Sequence, residues 1–392
     1  MKQIFSFLFL VFTNFSFGQW VELNSGTTNF LEGLYFYDAD TGWVVGEQGT
    51  ILKTTDGGVS WTQKLSGTSS NLKSIQFITD QLGYTAGQNG TILKTIDGGN
   101  SWADISFDTK HIYEIHFLNS DTGFVCGQNG AIYKTINGGA TWLSISTSLN
   151  SFFSLHFFDT QTGLIAGTGD YRTNNGGNSY SSFFPYQASF IEDICFGNPT
   201  NGFLTDTRLG NSCIYKTTDS GLTWDTSFVI PSFIIFDLSY ATITSCYGVG
   251  NDYNVSVIIK TSDDGLSWTT QSPNTSALLG GIYFPDALNG YAVGSNGTII
   301  KTVNGGVGLA ENKSNKECRI FPNPVSDYVI INWNNTDKEY SFQISNYIGM
   351  VVANGKVVNN TPITFSQLPA GVYLISLKDR NGNTLVKRII KE

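Results

Sequence analysis

The 392-residue chain is 40% apolar and only 14% charged, with a formal net charge of −9; this describes an ordered protein and excludes a disordered one. Residues 19–310 hold 24 Asp and Glu against 11 Lys and Arg, too few basic groups to neutralise a row of phosphates, which excludes nucleic-acid binding. The 43 Gly, 28 Phe and 18 Tyr predict many turns and many strands.

The first segment, MKQIFSFLFLVFTNFSFG (1–18), carries one Lys, an apolar run and small residues at Ser16 and Gly18. It reads as a secretory signal peptide with cleavage before Gln19, its apolar run too short to span a bilayer. No later stretch is apolar enough for a membrane helix, so the mature protein is expected to be exported, without a transmembrane segment.

From residue 19 onward one short pattern recurs: TTDGGVSW (54–61), TIDGGNSW (95–102), TINGGATW (135–142), TNNGGNSY (173–180), TTDSGLTW (217–224), TSDDGLSW (261–268) and a truncated TVNGG (302–306). A basic residue precedes every copy: Lys53, Lys94, Lys134, Arg172, Lys216, Lys260 and Lys301, at steps of 41, 40, 38, 44, 44 and 41. A period near 40 with several short strands per unit predicts a β-propeller. Within one unit, Leu72–Thr79 is the first strand and Tyr84–Gly87 the second. Asn89-Gly90 is a two-residue hairpin turn, Thr91–Thr95 the third strand, and the fourth lies around Trp102.

The acidic or amide position of the pattern is Asp56, Asp97, Asn137, Asn175, Asp219, Asp263 and Asn304. Asn in three copies means that a carboxylate charge is not required. What all seven share is a side-chain oxygen able to satisfy turn N–H groups. Trp61, Trp102, Trp142, Trp224 and Trp268 end their copies, and the last copy lacks its own. WVELNSGTTNFLEGLYF from Trp20 aligns without a gap on WTQKLSGTSSNLKSIQF from Trp61. Trp20 therefore belongs to a fourth strand without preceding strands, which is expected to complete the seventh blade and remove an edge.

The five cysteines (126, 195, 213, 246, 318) show no metal spacing. Cys126 aligns with Val45, Ala86 and Ala166 at a small core position. Cys195 and Cys213, on first and third strands of one blade, stand about 9–10 Å apart by strand spacing, beyond disulfide reach. Buried free thiols are expected.

The T/S-x-D-x-G-x-S/T-W pattern is the Asp-box, and residues 19–306 resemble the propeller of the photosystem II stability/assembly factor family. The resemblance implies a seven-bladed all-β propeller. It does not carry over a photosystem role, because such members are associated with basic surface residues and this chain has almost none. Asp-boxes also occur in sialidases, which bind a substrate carboxylate with three arginines; this region has Arg172, a repeat residue, and Arg208. Asp-box xyloglucanases place carboxylates between two propellers, and here there is one.

After Gly306 the register ends, and 307–317 reads as a polar linker. Residues 318–392 carry strand-like stretches and an Asn381-Gly382 turn, predicting a small Ig-like β-sandwich. Phe321-Pro322-Asn323-Pro324, Ile348-Gly349, Leu368-Pro369-Ala370-Gly371-Val372-Tyr373 and the basic end at Lys387, Arg388 and Lys391 closely resemble the type A C-terminal sorting domain of the type IX (Por) secretion system. The resemblance implies recognition of residues 318–392 by that machinery at the outer membrane and their removal by a sortase-like peptidase. The cargo would be attached to the cell surface or released.

No GxSxG, P-loop or HExxH motif appears. First strands of a propeller line its central channel, and alignment places seven pairs there: Gly33/Tyr35, Ser74/Gln76, Glu114/His116, Ser154/His156, Asp193/Cys195, Asp237/Ser239 and Gly281/Tyr283. Glu114, His116, His156, Asp193 and Asp237 thus converge. A cation or small polar ligand, or simply a water-filled channel, fits that set. Loop aromatics Phe183, Phe184, Tyr186, Phe228 and Phe233 would suit sugar or peptide recognition if exposed, or pack against neighbouring loops. The reading is an exported, non-enzymatic binding or scaffold module for a polysaccharide or protein ligand, with no cofactor; the alternative is a secreted glycoside hydrolase, which needs a carboxylate pair.

Overall fold

The computed structural model describes residues 20–145, 148–185, 190–208, 210–306, 318–333, 339–346, 350–358, 360–378 and 384–392. The expected signal peptide (1–18), the linker 307–317, Tyr186, Ile348, Gly349 and the Asn381-Gly382 turn lie outside them.

Alternating apolar residues and frequent turn glycines give an all-β chain, whose helical content among the described residues is four short 3-10 turns. One repeat folds as the antiparallel meander Leu72–Phe77, Gly83–Gly87, Ile92–Thr95 and Ala103–Asp104. Gln88–Gly90 makes its central turn: Asn89 has φ 55°, Gly90 has φ 70°, and Thr91 N donates to Gln88 O at 3.1 Å. Asn129 and Asn296 adopt the same left-handed backbone, and Gln48 takes it where the repeat lacks Asn.

Further four-stranded sheets begin on Leu31–Phe36, Ile112–Phe117, Phe190–Phe196 and Ile234–Thr242. The repeat ending in Tyr180 differs, pairing only Phe152–Phe157, Gly163–Gly167 and Asp170–Thr173 as strands. Its expected fourth strand is reduced to one bridge, Arg172 with Ser181. Asp170 turns the chain there: its Oδ2 accepts the N–H groups of Phe183 and Phe184 at 2.6 and 2.9 Å. In the last sheet Val21–Leu23 pairs with Ile299–Thr302, which pairs with Gly290–Gly294 and then Leu279–Tyr283. Each first strand packs beside the next sheet's, and Leu279–Tyr283 lies against Leu31–Phe36.

Three residue types bind neighbouring sheets. An aromatic on a second strand stacks on a first-strand Phe of the next sheet: Trp43 on Phe77 at 3.5 Å, Tyr84 on Phe117 at 3.7 Å, Phe124 on Phe157 at 3.5 Å, and Tyr247 on Phe284 at 3.8 Å. Tyr291 stacks on Phe36 at 3.7 Å, joining the last sheet to the first. The Phe ring lies flat on a glycine of its own sheet; a Cβ at Gly83 would fall 2.6 Å from Phe77. The repeated basic residue crosses the same seam. Lys53 Nζ donates to Gly98 O at 2.7 Å, Lys94 to Gly138 O at 2.9 Å, and Lys301 to Gly57 O at 2.8 Å.

Trp20 is 2% exposed and meets Phe284 edge-on at 5.9 Å, as Trp61 meets Phe36 at 6.1 Å and Trp102 meets Phe77 at 6.0 Å. Its Nε1 donates to Gln271 Oε1 at 3.1 Å. Cys126 is fully buried beside Ile132 and Phe152, and Cys195, Cys213 and Cys246 are also unbridged.

Residues 318–392 form two sheets. Cys318–Phe321, Tyr328–Trp333 and Pro362–Thr364 face Val351–Val358, Glu339–Asn346, Gly371–Lys378 and Thr384–Lys391 across one core that contains Val329, Ile331, Ile344, Ile375 and Leu377. No described helix is long and apolar enough to cross a membrane.

Candidate functional site

In the Asp-boxes, Thr54 Oγ1 accepts from Gly58 N at 2.8 Å and donates to Asp56 Oδ1 at 2.8 Å. Asp56 in turn accepts from Ser60 N at 2.9 Å and Ser60 Oγ at 2.6 Å. Asp97, Asp219 and Asp263 repeat this arrangement. Where Asn stands, the second contact reverses: Asn137 Nδ2 donates to Thr141 Oγ1 at 2.8 Å, and Asn175 Nδ2 to Ser179 Oγ at 2.8 Å. A hydroxyl both donates and accepts, so either residue fits. In the last copy Thr302 Oγ1 donates to Asn304 Oδ1 at 2.9 Å. Every one of these side-chain oxygens serves its own turn.

The first strands enclose a cavity of about 510 Å³ lined by Glu114, His116, His156, Asp193 and Asp237. Most of their polar atoms engage the neighbouring sheet. Asp193 Oδ2 accepts from Leu238 N at 3.0 Å, and its Oδ1 from Ser154 Oγ at 2.8 Å. Asp237 Oδ2 accepts from Ile282 N at 2.7 Å, and Ser239 Oγ from Phe284 N at 3.0 Å. Ser74 Oγ accepts from Ile115 N at 3.3 Å and donates to Glu114 Oε1 at 3.2 Å. His116 Nε2 donates to Phe157 O at 3.3 Å, and its ring lies 5.4 Å from that of His156.

Burial decides the charge of this set. Desolvation holds Glu114 well above the carboxylate range, with the charges of Asp193 and Asp237 adding to it. Desolvation also raises Asp193 and Asp237, two neighbouring carboxyls that titrate as a coupled pair. It lowers His116 to about 4 and His156 to about 3, so both imidazoles are neutral at pH 7. Among the described residues no group of three or more His, Cys, Asp or Glu is placed to hold a metal ion.

A second ring of residues escaped the sequence reading. Every first strand carries a β-bulge, with register shifts between Leu31 and Gly33, Leu72 and Ser74, Ile112 and Glu114, Phe152 and Ser154, Ile191 and Asp193, Ile235 and Asp237, and Leu279 and Gly281. The extra residue of each bulge lines the cavity: Glu32, Lys73, Tyr113, Phe153, Glu192, Phe236 and Gly280. Strict alternation would have sent these side chains between sheets with Ile75; the bulge re-aims them. All are half-buried. Lys73 pairs with Glu32 at 2.5 Å, Tyr113 packs on Phe153 at 5.6 Å, and desolvation pushes Glu192 up to about 7.

The described loop aromatics pack inward rather than forming an exposed surface. Phe183 and Phe184 are buried against Trp224 and Tyr215, while Phe228 and Phe233 pack on the cluster around Ile235. In the C-terminal sheets Asn323 Oδ1 accepts from Ile390 N at 2.8 Å, fixing the last strand, and Tyr373 OH donates to Pro369 O at 2.8 Å. Pro322 and Pro324 flank Asn323, Gly371 opens the strand carrying Tyr373, and Lys387 pairs with Ile375 across the sheet.

The family described as photosynthesis system II assembly factor YCF48 matches residues 13–145. The secretion system C-terminal sorting domain matches residues 319–392. No curated protein matches. Among solved structures, YCF48 bound to D1 peptide is 20% identical with a TM-score of 0.61, covering 73% of this chain and 97% of that one. YCF48 from Cyanidioschyzon merolae is 19% identical with a TM-score of 0.59, covering 72% and 98%. A GH74 enzyme from Niastella koreensis is 15% identical with a TM-score of 0.60, covering 95% of this chain and 67% of that enzyme. At these identities the likeness is one of fold.

Proposed function

For a chain that joins YCF48-type repeats to a secretion-system C-terminal sorting domain, we propose an exported seven-bladed β-propeller that binds a ligand at its channel mouth without transforming it. The sorting domain implies export by type IX secretion to the cell surface or the medium. In this reading residues 1–18 are the signal peptide, 19–306 the propeller, 307–317 a linker, and 318–392 the module read by the machinery and cut by a sortase-like peptidase. The pairing of Val21–Leu23 with Ile299–Thr302 and the stacking of Tyr291 on Phe36 support a ring of seven sheets fastened by the N-terminal strand.

The observation that carries the binding reading is the bulge ring. Half-exposed Tyr113, Phe153 and Phe236 stand with Glu32 and Glu192 around one cavity. Apolar sugar faces stack on such rings while hydroxyls bond to carboxyls. The acidic balance of residues 19–310, 24 acidic against 11 basic residues, disfavours an anionic polymer, leaving a neutral glycan as the better fit. A glycoside hydrolase needs two carboxyls about 5–10 Å apart with room for substrate or water. Asp193 and Asp237 instead accept from backbone N–H groups of the neighbouring sheets, which favours binding over hydrolysis.

The test is a glycan and polysaccharide array probed with the secreted, mature protein, scoring retention and sugar release separately. Retention of a neutral glycan, weakened roughly three- to tenfold by Phe153→Ala or Tyr113→Ala, is expected. Sugar release that disappears in Glu192→Gln would replace this reading with the hydrolase.

A further inference from the structure

One seam between sheets departs from the rest. Opposite the first-strand Phe, six sheets have glycine: Gly42, Gly83, Gly123, Gly163, Gly202 and Gly290. A Cβ at any of them would fall 2.2–2.7 Å from that ring. The sheet that begins on Ile234–Thr242 has Cys246 there, opposite Tyr240. Tyr240 gives way: its ring lies over Gly197 and stands 5.5 Å from Phe203 of the preceding sheet, against 3.5–3.8 Å in the other stacks, and leaves the thiol room.

Facing that thiol from the preceding sheet is Cys195, at the first-strand position occupied elsewhere by Gln76, His116 or Ser239. Cys195 packs on the cluster of Phe203, Ile235, Leu238 and Cys246, and after desolvation the neighbouring Cys246 thiol raises its pKa further. Both are unbridged in this structure. Cys195 borders the channel cavity, which gives a small reagent a route to it, whereas Cys246 is fully buried behind it. Cys213, on the third strand of the sheet that carries Cys195, and Cys126, in a different cluster, have no such neighbour among the described cysteines.

We propose that Cys195 and Cys246 are a disulfide-forming pair that covalently joins two neighbouring sheets once the exported chain meets a thiol–disulfide oxidant. The Cys195 thiol loses its proton, and its thiolate attacks a sulfur of the oxidant's disulfide, forming a mixed disulfide and releasing one thiolate. Cys246, deprotonated in turn, attacks Cys195 Sγ and releases the second thiolate. Two protein thiols are oxidised and one oxidant disulfide is reduced, a two-electron exchange. Export supplies the oxidising surroundings; ligand binding at the channel has no part in it. Burial holds the Cys195 thiol well above its ordinary range, which slows thiolate chemistry in the closed molecule. The bond therefore forms before or while the two sheets dock.

The full mature chain, collected from the medium and alkylated after unfolding without reductant, tests this by mass and peptide mapping. The expected result is a linked Cys195–Cys246 peptide and an intact mass about 2 Da below the all-thiol form. Dithiothreitol should lower the melting temperature by roughly 5 °C or more. Cys246→Gly, which restores the residue of the other six sheets, and Cys195→Ser should both melt at the same temperature with and without reductant. A chain that is reduced on isolation but forms this link when refolded with oxidised glutathione also supports the pair. A link from Cys195 to Cys213 instead, or free thiols at both positions after that refolding, overturns it.

Discussion

Thr95 shows how little each Asp-box asks of a charge. Its hydroxyl accepts from Gly99 N at 2.9 Å and donates to Asp97 Oδ1 at 2.8 Å, and the residue is 1% exposed. Thr95→Val keeps the shape but strands a buried N–H, and should cost about 1–3 kcal/mol in denaturant unfolding. Asp97 is held low by the Ser101 hydroxyl first, then by Ser101 N and Thr95. A carboxylate lowered in the folded state adds stability above its unfolded pKa, and that stability is lost as pH falls through the folded value. Asp97→Asn should therefore melt close to wild type at neutral pH and resist acid better, because Asn137 and Asn175 make the same turns without titrating. Asp97→Ala, which loses every one of these bonds, should melt lower at all pH values. The boxes were legible in the sequence because seven copies with mixed Asp and Asn tolerate only a shared oxygen. What was not legible was the reversed donor in the Asn copies, which depends on hydroxyl rotation.

First strands behave as polar ties between sheets, and their titration follows from that. Asp237 is raised first by desolvation and then by the charge of Asp193. Such a carboxyl gives stability that is complete below its unfolded pKa, near 3.8, and that is lost as pH rises through the folded value. Asp237→Asn keeps an oxygen for Ile282 N and removes the buried titration. Its melting temperature should exceed wild type at pH 7 and converge with it near pH 4, as a calorimetric pH series would show. His116 and His156, lowered to about 4 and 3, run the other way: the stability they give is complete above pH 6.5 and declines as pH falls. Alignment placed these four channel residues and Glu114, because residues two apart share a strand face. It missed Glu32, Tyr113, Phe153 and Glu192, because a bulge breaks that alternation and leaves no mark in composition. It also missed the meeting of Cys195 with Cys246. Spacing within one repeat reports distances along a sheet, and this pair meets across two.

Across the whole molecule, the period of about 40 residues made the architecture readable, and Trp20 was assigned to the last sheet from a gapless alignment alone. The repeat ending in Tyr180 was harder to read. Its fourth strand dissolves into a segment held by Asp170, and Phe183 and Phe184, for which the sequence offered either recognition or packing, fill that space as core. Function was far less legible, since the boxes that dominate the sequence spend their polar groups on themselves.

The repeated basic side chains carry one last consequence. Each donates forward: Lys53 to Gly98, Lys94 to Gly138, Lys134 to Thr160, Arg172 to Ser220, Lys216 to Asp264, Lys260 to Gly305, and Lys301 back to Gly57. A circuit in which every member gives to its successor has no first member. Where the chain starts is then an accident of covalent order. Gly306 and Trp20 both abut Gln271, and in a complete box two residues separate such a glycine from its tryptophan. Bridging them with Val-Ser would write TVNGGVSW, an uninterrupted box. A circular permutant built this way, opened between Gly67 and Thr68, should fold with the melting behaviour of the parent propeller.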